Sequence, residues 1–257
     1  MTTTTAPAFA PEASTAPAAV RAPSPLDVVA LQTTKRFMTF AVPLVTLGLV
    51  LLVSGVIAAF FYQMGSRPGT DEWISNSRNN PGVLWALPGF LGYYGVQSVA
   101  TTFPFALALG TSRRAFTTGT LAFHGLLSAY IAVVGLVLLG VERLTGQWFV
   151  GLYLMDVVVL GGGDPLRLVG ILFFGSLTML SLGALFAAAW VRFGPRGPVV
   201  LGITSAALLA AVALLLAPHL GAVADAFQLW WLAATAAGII AVACVGELAL
   251  LRRASVR

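Results

Sequence analysis

Six apolar stretches, each close to the length of a bilayer crossing, decide what this chain can become. They run from Met38 to Tyr62, Pro88 to Leu109, Thr118 to Val141, Leu166 to Val191, Val199 to Ala217 and Gln228 to Leu251. About 20 helical residues cross roughly 30 Å of hydrocarbon. A helix satisfies its own backbone donors and acceptors there, which an open strand cannot do. Charged residues are 9% of the chain and apolar residues 58%, against about 25% charged in soluble domains. The runs therefore predict an all-α integral membrane protein with six transmembrane helices.

The arginines orient those spans. With both termini cytoplasmic, the inner bases are Arg21, Lys35, Arg36, Arg113, Arg114, Arg192, Arg196, Arg252, Arg253 and Arg257, ten of the 14 in the chain. One further stretch, "QWFVGLYLMDVVVL" from Gln147 to Leu160, is short for a span and carries Asp156. Counting it as a seventh span leaves only Arg21, Lys35, Arg36, Arg113, Arg114 and Arg167 inside. The excess of bases on the cytoplasmic side thus favours six spans. Gln147–Leu160 then suits an interfacial or re-entrant piece in the outer loop that joins spans three and four. The net charge of +5 is scattered between apolar runs, so it speaks for orientation in a lipid bilayer and not for nucleic acid.

Four segments follow. Residues 1–25 are a Thr/Ala/Pro-rich tail with too little apolar surface for a core, and are expected to be disordered and cytoplasmic. They lack the basic start and apolar core of a signal peptide. Residues 26–37, "LDVVALQTTKRF", read as a short membrane-surface helix or as a polar lead-in to the first span. Residues 38–251 form the six-span domain, and 252–257 a basic cytoplasmic tail. The lone cysteine, Cys244, excludes an intrachain disulfide and reads as a small core residue.

The inner corner "FALALGTSRRAFTTGTLAF" bears the adjacent bases Arg113 and Arg114. One arginine at the bilayer centre costs about 2.5–3.5 kcal/mol, so this corner belongs at the membrane surface. Gly110 can end the helix before it, and Ser112 can cap a short helix after it. An ordinary topology anchor would look the same.

The sequence Gly110, Thr111, Ser112, Arg113, Arg114 with Phe116 resembles the second-to-third-span region of membrane subunits of type-2 ABC exporters. In many of those an apolar helix ends in Gly, a small residue and a Ser or Thr, then a basic pair and an aromatic. "VRFGPRGP", with Arg192, Phe193, Gly194, Arg196 and Gly197, is similar to the inner loop that ends their fourth span. The resemblance implies a permease subunit that exports a small or amphipathic substrate by alternating access in the plasma membrane. It also implies that the first inner loop is a coupling helix seated on an ABC ATPase subunit. Arg113 and Arg114 would pair with that partner's carboxylates and Phe116 would fill its pocket. The lead-in with Lys35 and Arg36 would be the connecting helix. Gln147–Leu160 would match the family's short re-entrant helices, a match that Asp156 interrupts. A second permease half, identical or paralogous, is a further expected partner.

This chain has no GxxxxGK[ST], and Lys35 is its sole lysine. ATP and Mg are therefore expected in the partner subunit, with no cofactor or metal held here. No GxSxG or HExxH is present, and no pair of acids lies within a span. The chain is therefore not expected to be an enzyme. The rival class, an ion-coupled secondary transporter, would use ionisable groups inside the spans. His124 and Glu247 are the candidates. His124 reads as a packing residue bonded to a neighbouring helix, although Ser128 lies four residues on. Glu247 reads as one half of a surface pair with Arg252 or Arg253, and His219 as a wet residue at an outer span end. A membrane assembly protein without transport is the third reading.

Overall fold

The computed structural model describes residues 23–80, 82–226, 228 and 230–254; the expected disordered tail up to residue 22 and the last three residues of the basic tail lie outside these. Among the described residues the fold is all helical. In chain order the helices are α1 Pro25–Thr33, α2 Val42–Gln63, α3 Asp71–Arg78, α4 Gly82–Ala100, α5 Thr102–Ala108, α6 Arg113–Leu144, α7 Pro165–Phe193, α8 Arg196–Leu216, α9 Leu220–Ala226 and α10 Trp230–Arg252. Five helical stretches are long and apolar enough to cross a membrane: Phe37–Gln63, Arg113–Leu144, Pro165–Phe193, Arg196–Val223 and Trp230–Arg252. They match five of the six expected spans to within a few residues, apart from the extension of α6 and of the stretch that holds α8.

The sixth, expected over Pro88–Leu109, differs. Its helix starts at Gly82, carries Pro88 in its interior, and breaks at Thr101 into α4 and α5. Pro104 explains the break. It has no N–H for the Ala100 carbonyl and its ring crowds that turn, while the Thr101 hydroxyl donates back to the Gln97 carbonyl. Tyr93, Tyr94, Gln97 and Ser98 also make this stretch less apolar than its neighbours.

α7 is the hub, touching α4, α6, α8 and α10. Its crossing with α4 is a backbone contact. A Cβ on Gly95 would collide with the Leu180 carbonyl, and one on Gly183 with the Gly92 carbonyl. Glycine at both positions lets the two helices meet without side chains between them. Leu87, Leu91 and Tyr94 of α4 and Leu127 and Ile131 of α6 fill the main core with Leu172 and Leu180 of α7. A second cluster joins Val28, Phe103, Phe116, Ala187, Ala188 and Leu251.

α1 is shorter than the expected 26–37 helix. Pro25 opens it, and the Ser24 N–H donates to the Asp27 carboxylate at 2.6 Å. Val28 and Gln32, one turn apart, face α6. Gly119 has no Cβ where the Pro25 carbonyl and Val28 approach. The Gln32 amide donates to the Thr120 hydroxyl at 2.9 Å. α1 is thus docked on the bundle. Lys35 and Arg36 lie beyond it, in the elbow that leads through a π-helical turn, Phe37–Ala41, into α2.

Gln147–Leu160 is neither a span nor a regular helix. Gln147, Trp148 and Phe149 all have positive φ, a left-handed turn that non-glycine residues rarely adopt. Leu152, Leu154, Met155, Val157 and Leu160 are buried beneath it. The segment is an irregular cap packed on the end of the bundle.

Candidate functional site

The corner at Gly110–Arg114 is built as its local sequence dictates. Gly110 takes φ +82°. The Gly110 N–H bonds the Leu107 carbonyl at 2.9 Å and the Thr111 N–H bonds the Ala106 carbonyl at 3.0 Å. These are the paired closing bonds of a glycine-terminated helix. The Ser112 hydroxyl then accepts the Ala115 N–H at 3.1 Å. The helix that follows is not a short coupling element but the first turn of α6, which continues for 32 residues.

The three side chains expected to meet a partner part company here. Arg113 turns inward along the chain's own surface. Its Nη1 donates to the Leu251 carbonyl at 2.6 Å and the Arg252 carbonyl at 2.8 Å. Those carbonyls lie at the C-terminus of α10, where helical acceptors are unpaired and the dipole is negative. Phe116 is fully buried, its ring 5.1 Å from that of Phe103. It therefore fills this chain's own core rather than a partner's pocket. Arg114 is exposed and forms no ion pair among the described residues.

The loop expected to be the second inner one is Gly194 and Pro195, between α7 and α8. Arg192 lies over the Phe193 ring at 4.6 Å. Gly194 takes φ +66°, and a Cβ on Gly197 would strike the Ala189 carbonyl. Arg196 is exposed at the start of α8. Because Val28, Phe116, Ala188 and Leu251 share one cluster, these basic segments gather at one end of the bundle: Lys35–Arg36, Arg113–Arg114, Arg192–Arg196 and Arg252–Arg253.

Inside the bundle lies a run of buried polar groups. His124 is 1% exposed, and its Nε2 is 2.9 Å from the Ser98 hydroxyl of α4. That hydroxyl donates to the Gly95 carbonyl at 2.7 Å, which leaves the imidazole N–H to donate to it. Glu247 does not pair with Arg252 or Arg253. It is 3% exposed and its Oε1 has no hydrogen-bond partner among the described residues. Cys244, one turn earlier on α10, sits beside Ser181 of α7. The Ser128 hydroxyl is buried and likewise without a hydrogen-bond partner among the described residues.

The far end carries contacts that sequence reasoning missed. Glu142 is fully buried near the end of α6. Its Oε2 accepts the Met155 N–H at 2.7 Å, the Leu154 N–H at 3.1 Å and the Trp148 indole at 3.3 Å. Its Oε1 accepts the Asp156 N–H at 3.1 Å. Arg78 pairs with Asp156 and donates to the Gly162 carbonyl. Arg143 donates to the Gly163 carbonyl, and the Trp73 indole to the Gly151 carbonyl at 2.7 Å. A cleft of about 400 Å³ opens between α2, α3 and this cap, lined by Ser54, Trp73, Asn76 and Asn80. Asp156 inside an apolar stretch was the available signal, but its partner lies 78 residues away.

Five long apolar helices, a basic end and a cross-bonded cap at the other are the features of a multi-pass membrane protein. No family model, curated protein or solved structure matches the chain.

Proposed function

We propose that this chain is the permease subunit of an ATP-driven exporter. It crosses the plasma membrane six times, with α4 and α5 as the second crossing and both termini in the cytoplasm. The observation that carries the reading is the corner at Gly110–Arg114, a tight basic turn braced in cis by Arg113 on the end of α10. A coupling element must be short, rigid and held against the bundle, and Arg114, Lys35, Arg36 and Arg196 are left exposed around it. Arginine is a favoured anchor at protein interfaces. ATP binds and is hydrolysed in a separate subunit, and two permease halves enclose the pathway for a small or amphipathic substrate.

The test is purification of the native complex. An ATPase chain that co-purifies, and is lost on joint Arg114→Glu and Arg196→Glu substitution while the permease stays folded, supports the proposal. Isolation of the intact assembly without any ATPase overturns it. Glu247 favours a second reading, an ion-coupled transporter, because an unpartnered carboxyl buried within a span is the usual equipment of that class. Substrate movement in vesicles driven by an ion gradient alone, abolished by Glu247→Gln, would decide for it.

A further inference from the structure

α7 and α10 touch closely over their second halves, where the Leu185 side chain lies against the position of Gly246. Their first halves part. Between them opens a groove of about 570 Å³, bordered by Arg167, Ile171, Phe174 and Gly175 on one side and by Trp230 and Ala236 on the other. Small residues on both helices give the groove its depth, and among the described residues no atom beyond the neighbouring α7 backbone lies within 4 Å of where a Cβ on Gly170 or Gly175 would stand. The lining is almost wholly apolar, and only its mouth is charged.

Asp164 caps α7 there, accepting the Leu166 N–H at 2.9 Å and the Arg167 N–H at 3.2 Å. Arg167 meets the Asp164 carboxylate through Nε at 3.3 Å. Its two terminal nitrogens have no partner among the described residues, and its side chain is 56% exposed. Trp230, exposed, stands across the mouth with its indole bonded to Gln228.

From this geometry we infer that the α7–α10 groove holds one acyl chain of a membrane phospholipid, with the lipid phosphate on Arg167. Three features select this occupant. Arg167 to Gly175 spans about 12 Å of helix at 1.5 Å per residue, close to the depth of one leaflet, about half of 30 Å. The unpaired guanidinium nitrogens offer a phosphate the charge-assisted bonds it forms best with arginine. A tryptophan at the mouth is the residue enriched at headgroup level. The inference stands apart from the exporter reading and needs no ATPase partner.

The experiment uses the full chain in vesicles of phosphatidylethanolamine and phosphatidylglycerol, each lipid in turn carrying a trace photoreactive group on one acyl chain. Crosslinked peptides are mapped by mass spectrometry. Adducts concentrated on residues 165–175 and 230–236, relative to α2 and α8, support the groove. Arg167→Gln is expected to lower them about tenfold, the scale of one charge-assisted contact. Gly175→Leu fills the cleft and removes them. If that variant fails to fold, the mouth substitution still decides. Adducts spread evenly over α2 and α8, or equally abundant with a photoreactive diacylglycerol that lacks phosphate, overturn the proposal. Adducts unchanged in Arg167→Gln do the same.

Discussion

Arg113 and Arg114 are neighbours with opposite duties. Arg113 closes the end of α10 through two carbonyls. Arg113→Ala should lower stability by about 1–3 kcal/mol, the scale of a hydrogen bond from a charged group. A thermal melt of the purified chain in detergent reads this. Arg114→Ala should leave the melt unchanged. Glu142 gathers four donors onto one carboxylate. Glu142→Gln turns an amide N–H₂ toward backbone N–H groups, so residues 147–164 should be cut faster by protease while α6 and α7 stay protected. Glu247 is the reverse case, a buried carboxyl oxygen with no partner among the described residues. Removing such a group relieves its desolvation penalty. Glu247→Leu should therefore melt at or above the parent temperature, and a lower melt would reveal a bond that the fold depends on. At this scale, the caps were legible in the sequence and the long-range partners were not. Gly110 and Ser112 act within one turn of themselves. Arg113 acts 138 residues away, and nothing in "TSRRAF" distinguishes it from Arg114.

Among the elements, length and hydropathy identified the long helices because a uniform apolar run has few alternatives in lipid. The expected second span, Pro88–Leu109, is helical but broken and less apolar where side-chain chemistry overrides hydropathy, at Pro104 and in the Tyr–Gln–Ser face of α4. The seam between α4 and α7 was invisible for another reason. Gly95 and Gly183 are ordinary in composition, and only the fold sets each against a carbonyl. Gly95→Ala should force the helices apart and destabilise by about 1–3 kcal/mol, the usual range for overpacking. Gly89→Ala, with open space at its Cβ, is the control and should be neutral. Equal melting of the two variants would argue against the close crossing. The Gln147–Leu160 cap was unreadable because its burial rests on Glu142, which precedes it in the chain and carries no motif.

For the whole molecule, the charge count anticipated which segments share an end. Lys35, Arg114, Arg196 and Arg252 are brought together, and Arg78, Arg143 and Arg167 lie with the cap. Which end faces the cytoplasm is a matter for labelling. In a Cys244→Ala background, cysteines at Arg114 and Glu72 should react with an impermeant thiol reagent from opposite sides of sealed vesicles. Reaction from one side would overturn the six-crossing arrangement, since α6 and α3 would then share a face.

α6 runs unbroken for 32 residues, about 48 Å at 1.5 Å per residue, well beyond the hydrocarbon it has to cross. Gln32 and Arg113 tie its first turns to α1 and α10, and Glu142 ties its last to the cap. Such a rod has no hinge in which to absorb a rotation. A tilt imposed at one end reappears as a swing at the other, so the chain carries a built-in lever between its two faces.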